Sequence, residues 1–274
     1  MAKHRKLKQP PSYRRRIHPV PVYLAVALVL ILVFVVLSLT VLFPLENYAV
    51  SGLTPYTEEE IIAAAGLAGK ENLLRLDTDK IERRILARLP YLETVEVKAD
   101  LPTTLMITCT EAEAYASYTE NGTCYLVDRR GRVLAETKGT SDLILLSGIK
   151  APAHTLAEDA KENRRTYLTF DSDRTREALA SLADYLDGIS FGRVTRINLP
   201  SYLDLSFVID DRVRVKIGTV VDMEYKMTFT RRIFGKEDAV PAEGYAIVDV
   251  SNTSRGASVK TNVNNDLTEA DILG

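Results

Sequence analysis

The sequence predicts an α+β protein in which a single transmembrane helix precedes two mixed domains. Three observations carry this. Val20 to Phe43 is a run of 24 residues without a charge. Residues 47–111 read as strand, helix, helix, strand, strand. Residues 115–252 read as a longer series of strands interrupted by two helices, expected to form an antiparallel sheet. The division that follows is a basic tail over 1–19, a span over 20–43, a first module over 44–112, a second over 113–260 and a polar tail over 261–274.

The tail holds Lys3, Arg5, Lys6, Lys8, Arg14, Arg15 and Arg16 and no acid, which leaves 28 of the 35 basic groups against 37 acidic ones in the rest, net −9. An acidic body argues against nucleic-acid binding, which needs clustered Lys and Arg. As a helix the apolar run extends about 36 Å, enough for a hydrocarbon core of about 30 Å. A cleaved signal peptide or a buried core helix are the other readings of such a run. It is longer than a signal h-region, and Leu42-Phe43-Pro44-Leu45 is a poor cleavage site. Arg14–Arg16 beside the run place the tail in the cytoplasm and the remainder outside. Tyr13 and Tyr23 suit the inner headgroup level.

In the first module, Tyr48 and Val50 alternate with Ala49 and Ser51, and Gly52 frees the backbone for a turn. Thr57-Glu58-Glu59-Glu60 is a capping box at a helix start. Ile61, Ile62 and Ala65 give its buried stripe, and Gly66 and Gly69 end it. Asp77 or Thr78 caps a second helix, whose Ile81, Ile85 and Leu89 recur every four residues until Pro90. Residues 94–99 and 103–111 alternate as strands, with Leu105, Ile107 and Cys109 on one face. A three-stranded sheet under two helices is the smallest practical sandwich of this kind.

In the second module, Asn121-Gly122 is a hairpin dipeptide, and Asp128-Arg129-Arg130-Gly131 turns into Arg132-Val133-Leu134. Residues 151–173 read as an irregular surface loop. Arg174–Leu186 reads as a helix burying Leu179, Leu182, Ala183 and Leu186. Val194–Leu199, Asp204–Ile209 and Val213–Ile217 read as strands, Met223–Phe234 as a helix, and 244–252 as the final strand. The tail from Thr261 is expected to fray.

These residues carry a resemblance. V-S-G-L-T-P-Y-T-E-E-E-I (50–61), N-L-L-R-L-D-T (72–78) and R-L-P-Y-L-E-T-V-E-V-K-A-D-L-P-T-T-L-M-I-T-C-T-E (88–111) resemble the POTRA module of the FtsQ/DivIB family of bacterial cell-division proteins. Y-L-V-D-R-R-G-R-V-L (125–134), V-K-I-G-T (215–219) and Y-A-I-V-D-V (245–250) resemble that family's second, β domain. The layout agrees too: short basic tail, one span, POTRA, β domain. The resemblance implies a single-pass type II division protein, enriched at the septum. It would link extracytoplasmic division proteins and help regulate septal peptidoglycan synthesis. It implies as partners FtsB/DivIC-like and FtsL-like coiled-coil proteins, and indirectly the septal peptidoglycan synthase complex.

No reactive centre is legible. His4 and His18 lie in the basic tail and His154 stands alone, so neither a Ser-His-Asp set nor a zinc site can be assembled. Asp171/Asp173 and Asp210/Asp211 sit at turns and caps. The expectation is no catalytic residue, no cofactor and no metal. Cys109 and Cys124 could pair if their strands were neighbours; otherwise they are small buried apolar groups. A binding role would use an open sheet edge, where a partner strand can add. Matching to the family's C-terminal strands places that contact at Ile247, Val248, Asp249, Val250, Ser251 and Asn252 and at Arg255, Gly256 and Ala257. No aromatic follows Tyr245, a departure from an anchored contact. Two rival classes are a transport or outer-membrane assembly protein, which would need a barrel of alternating strands, and a membrane-anchored cell-wall enzyme.

Overall fold

The computed structural model describes residues 19–41, 43–52, 55–69, 71–236, 239–241, 243–252, 256–261 and 267–273. The basic tail, with Arg14–Arg16, Tyr13, His4 and His18, lies outside the described residues, as does Arg255. The apolar run forms α1 (Pro19–Val41). From Val20 to Leu37 its side chains are exposed among the described residues. Among the described residues it is the one helix long and apolar enough to cross a membrane.

The first module has the expected order: β1 (Asn47–Gly52), α2 (Glu58–Ala65), a 3-10 turn at Leu73–Arg75, α3 (Thr78–Arg88), β2 (Leu92–Asp100) and β3 (Thr104–Glu111). β3 lies in the middle, parallel to β1 and antiparallel to β2. The capping box at Thr57 is formed in both directions, with Glu60 N donating to Thr57 Oγ1 and Thr57 N donating to Glu60 Oε2. Asp77 caps α3 by accepting from Lys80 N. Ile61, Ile81, Ile85, Leu105, Ile107 and Cys109 meet in one core between the helices and the sheet. Phe43, read above as the last residue of the span, packs against that core. Gly52 stands at φ +107° where an added Cβ would lie 1.9 Å from the Cys109 carbonyl oxygen. No other residue fits there, which is how a glycine ends β1.

The second domain is one nine-stranded sheet. Its strands are β4 (Ala116–Glu120), β5 (Thr123–Val127), β6 (Val133–Lys138), β7 (Ile144–Ser147), β8 (Val194–Ser201), β9 (Asp204–Ile209), β10 (Val213–Gly218), β11 (Ala246–Asp249) and β12 (Ser258–Thr261). They stand in the order β12-β11-β10-β9-β8-β7-β4-β5-β6. The helices α4 (Leu156–Lys161), α5 (Asp173–Leu186), α6 (Met223–Phe234) and α7 (Glu269–Leu273) complete it. Leu179, Leu182 and Leu186 of α5 and Met223, Met227 and Ile233 of α6 share a core with Ile197, Phe207, Val215 and Val248 of the sheet. The hairpin turns at Asn121-Gly122 and Asp210-Asp211 have positive φ at both central residues, the form that matches strand twist.

Four expectations are corrected. The sheet is mixed: β4–β7, β7–β8 and β10–β11 run parallel beside the antiparallel pairs. A helix between two neighbouring strands returns the chain in its first direction, so α5 and α6 make β7–β8 and β10–β11 parallel. The supposed loop 151–173 contains α4, with its own capping box at Thr155 and Glu158. The last strand is β12, not the 244–252 segment. The tail does not simply fray, because α7 buries Ile272 to 1% exposure and Arg214 Nη1 of β10 donates to the Asp271 carbonyl at 3.1 Å. Cys109 and Cys124 are both free and buried, one in each domain. Burial raises the Cys109 thiol above its ordinary pKa.

Candidate docking edge

Of the nine residues singled out for docking, the eight described ones, all but Arg255, cluster at one end of the large sheet, but they do not form its outermost strand. Ile247, Val248 and Asp249 lie in β11, which is paired on both sides. Against β10 the register is Arg214↔Ile247, Val215↔Val248 and Lys216↔Asp249. Against β12 it is Ile247↔Lys260, Val248↔Val259 and Asp249↔Ser258. β11 has no free row of backbone groups for a partner strand. Val248 and Val250 are buried in the core, and Val250 N donates to the Lys216 carbonyl at 2.9 Å.

The outermost strand is β12. Val259 packs against the core beside Val248, while Ser258 and Lys260 are exposed. Just before it, Gly256 is exposed and Ala257 is partly buried. With Val250 and Asn252 they line a shallow hollow against Tyr225 and Phe229 of α6. The Tyr225 and Phe229 rings lie 5.9 Å apart, and Tyr225 is half exposed. The aromatic groups beside the edge thus come from α6 and not from the strands after Tyr245. Ser251 turns the chain, its N and Oγ both donating to Asp249 Oδ1 at 2.9 and 2.7 Å.

The side of β11 away from β12 is held from below. Lys226 of α6 is buried, and its Nζ donates to the carbonyls of Ile217 at 2.9 Å and Thr219 at 2.8 Å. Burial lowers the Lys226 pKa, with Asp222 pulling the other way. Lys226 thereby caps the end of β10, the strand on which β11 lies. In the sequence Lys226 alternates with apolar residues as Arg231 and Arg232 do; only the carbonyls that receive it distinguish it from those two exposed arginines.

The opposite end of the sheet meets the first module. Arg132, 2% exposed, donates through Nε to Asp128 Oδ2 at 2.9 Å and through Nη1 to the Leu92 carbonyl at 2.9 Å, and its Nη2 pairs with Glu93. Arg165 Nη2 donates to the Glu93 carbonyl at 2.7 Å. Burial, and then Arg132 beside it, push the Arg165 guanidinium below its ordinary pKa. Two arginines therefore hold β2 of one domain to the β6 region of the other. Nothing in D-R-R-G-R marks which arginine is buried. For β12 a signal did exist: Ala257, Val259 and Thr261 alternate with Ser258 and Lys260. Among the described residues no three His, Cys, Asp or Glu side chains gather as a metal site would require.

Comparison with known proteins bears on the first module above all. Residues 43–112 match the POTRA domain of the FtsQ type. The chain is 33% identical over 93 residues to a protein of Rhizobium meliloti (strain 1021) named cell division protein FtsQ, covering 34% of this chain and 30% of that one. It is 36% identical over 90 residues to the like-named protein of Streptomyces bingchenggensis (strain BCW-1), covering 33% and 34%. With that of Geobacter sp. (strain M21) it shares 31% identity over 141 residues, 47% of this chain and 51% of the relative. The aligned stretch thus spans between about a third and a half of these relatives. The first module is a POTRA domain, and the likeness read from its spaced L-P-Y and L-P-T-T-L segments extends over all of it.

Proposed function

We propose that the chain is a membrane-anchored bacterial cell-division scaffold of the FtsQ/DivIB kind. It joins extracytoplasmic division proteins to one another and helps time septal peptidoglycan synthesis without making or breaking a bond. α1 anchors it as a single-pass type II protein, with the basic tail in the cytoplasm and both domains outside, enriched at the septum. The observation that carries the reading is the succession, among the described residues, of one exposed apolar helix, an FtsQ-type POTRA domain within two residues of its end, and a sheet domain whose terminal strand pairs on one side.

Docking is by strand addition to β12. An edge strand presents N–H and C=O groups that a partner strand can satisfy, and neighbouring hollows then select side chains. The partner is the extracytoplasmic part of an FtsB/DivIC-like and FtsL-like coiled-coil pair, through which the synthase complex is reached. Of the residues named from sequence, Gly256 and Ala257 lead into the edge, while Ile247, Val248 and Asp249 support it from behind. Val250, Ser251 and Asn252 shape its entrance, and Arg255 lies between that entrance and β12 in sequence.

The test places the full chain in nanodiscs with the ectodomains of its own coiled-coil partners. Capture is expected, and it should be competed by a peptide spanning the partner's adding strand. A fluorescent fusion to the chain should gather at midcell in dividing cells. Absence of both capture and midcell enrichment would overturn the proposal.

A further inference from the structure

Where α1 leaves its apolar environment, the chain is stitched to a second segment of the POTRA domain. Phe43 O accepts from Leu73 N at 2.9 Å, Pro44 bridges to Asn72, and Leu45 N donates to the Glu71 carbonyl at 2.9 Å. Phe43 follows Val41 by two residues, so their Cα atoms are at most about 7.6 Å apart whatever the tilt of the helix. The turn Leu73–Arg75 is therefore tied to the end of the span by covalent reach and hydrogen bonds. Leu73 is buried in the POTRA core, whereas Leu74 is 48% exposed and Arg75 beside it is also exposed. Asn72 Oδ1 accepts from Leu74 N at 3.0 Å and fixes the turn in that pose.

We infer that the Leu74–Arg75 turn is a second, shallow membrane contact, inserting Leu74 among the lipid headgroups on the side of the bilayer where the POTRA domain lies. The inference rests on the reading of α1 as a membrane span. A 23-residue helix extends about 34 Å, close to the hydrocarbon thickness of about 30 Å, and the headgroup layer adds several ångströms on each side. The turn falls in that layer. An exposed leucine with an arginine beside it suits it, since the apolar side chain reaches the acyl boundary while the guanidinium stays with phosphate. Glu46 and Glu71 flank the turn and limit its depth, because carboxylates do not leave the headgroup level. Two points of attachment, the span and the turn, set the orientation of the POTRA domain to the membrane where one would leave it free to swivel.

The chain has no tryptophan, so one introduced residue is a unique reporter. Three full-length variants, Leu74→Trp, Leu203→Trp and Phe34→Trp, are reconstituted in phosphatidylcholine–phosphatidylglycerol vesicles whose acyl chains carry bromine near the headgroup. Leu203 is 59% exposed in the turn between β8 and β9, so it controls for the preference of tryptophan itself for interfaces. The expected result is strong quenching of Phe34→Trp and quenching of Leu74→Trp about twofold greater than that of Leu203→Trp, because bromine at that depth marks the layer the turn reaches. If Phe34→Trp is quenched and Leu74→Trp is no more quenched than Leu203→Trp, the contact does not exist although the span does. If Phe34→Trp is unquenched, the span and the contact fall together.

Discussion

The two edges of the nine-stranded sheet are finished in opposite ways. At the β6 edge, Val133 N donates to the Thr166 carbonyl and Leu168 N to the Gly131 carbonyl, so the chain itself covers the start of the outer strand. α4 lies over it, with Leu156 N held by Glu136, and the POTRA domain closes the corner through Arg132 and Arg165. At the β12 edge a four-residue strand ends the sheet, with exposed Ser258 and Lys260. Exposed edges invite unwanted pairing, and natural sheets cover them or keep them short and charged. This molecule covers one and keeps the other short, with a lysine on it. The covered edge carries hydrogen bonds between the domains; the short one has no further strand beside it among the described residues, which is what strand addition requires.

The largest effect should come from breaking the closed edge. Arg132→Met leaves the Leu92 carbonyl without its donor and Asp128 without its cation. Removing one partner of a buried pair costs about 3–5 kcal/mol. Asp128 keeps the backbone donors of Arg130 and Arg132, which argues for the lower end of that range. The check is the urea midpoint of the full chain in detergent. Lys260→Met at the open edge, by contrast, should stay within about 0.5 kcal/mol of wild type, as exposed sites do. Equal losses from the two would erase the contrast.

Next in size is Lys226→Met, which strips the Ile217 and Thr219 carbonyls of their buried donor at a cost of about 1–3 kcal/mol. The pH dependence has a definite sign. The Lys226 pKa is lower in the folded chain than the ordinary 10.5, so the unfolded chain binds more protons as pH approaches 10.5. Stability therefore rises with pH in that window. Wild type should gain on Lys226→Met as pH rises towards 10.5 in urea titrations.

A paired proline test sharpens the open edge. Along β12 the amides alternate, one towards β11 and the next outward. Of Val259→Pro and Lys260→Pro, the variant that strikes the outward amide should lower partner capture about tenfold, or about 1.4 kcal/mol, with the fold intact. The other should loosen β12 from β11, which hydrogen exchange of the β11 amides would register. If neither variant alters capture, the partner does not add to β12.

Legibility in the sequence followed the range of the forces involved. The capping box at Thr57, the Asn121-Gly122 turn and the stripes of α3 and α5 were readable, because each is decided within a few residues, yet the like box at Thr155 was passed over. Parallel pairing was not read, although α5 and α6 between strands implied it. The segment singled out for docking includes β11, which lies one strand in from the end of the sheet. Alternating Ile247–Val250 has the stronger apolar signal because it is covered on both sides, and β12 has the weaker one because it is not. The same inversion hid Arg132: a buried arginine is recognisable only by the carbonyl and carboxylates that converge on it, and Leu92 and Glu93 lie some forty positions away in the other domain.

The smallest effect concerns α7, which lies across β10 on the way back from the open edge. Thr268 N and Oγ1 both donate to Asp271 Oδ2, at 2.8 and 2.7 Å. These bonds to the ionised form hold the carboxyl below its ordinary 3.8. A depressed carboxyl contributes its stabilisation above its unfolded value and loses it as pH falls through the folded one. Arg214 Nη1 holds the Asp271 backbone carbonyl and not the carboxyl, so protonation of that carboxyl acts on the Thr268 box. The Ile272 methyl signals should therefore shift towards a detached position as pH falls below 3.8, while Asp271→Asn shows the loosened signals already at neutral pH. If Ile272 stays docked in both, apolar burial alone retains α7 against the sheet. The open edge would then have beside it a strap that does not respond to protons.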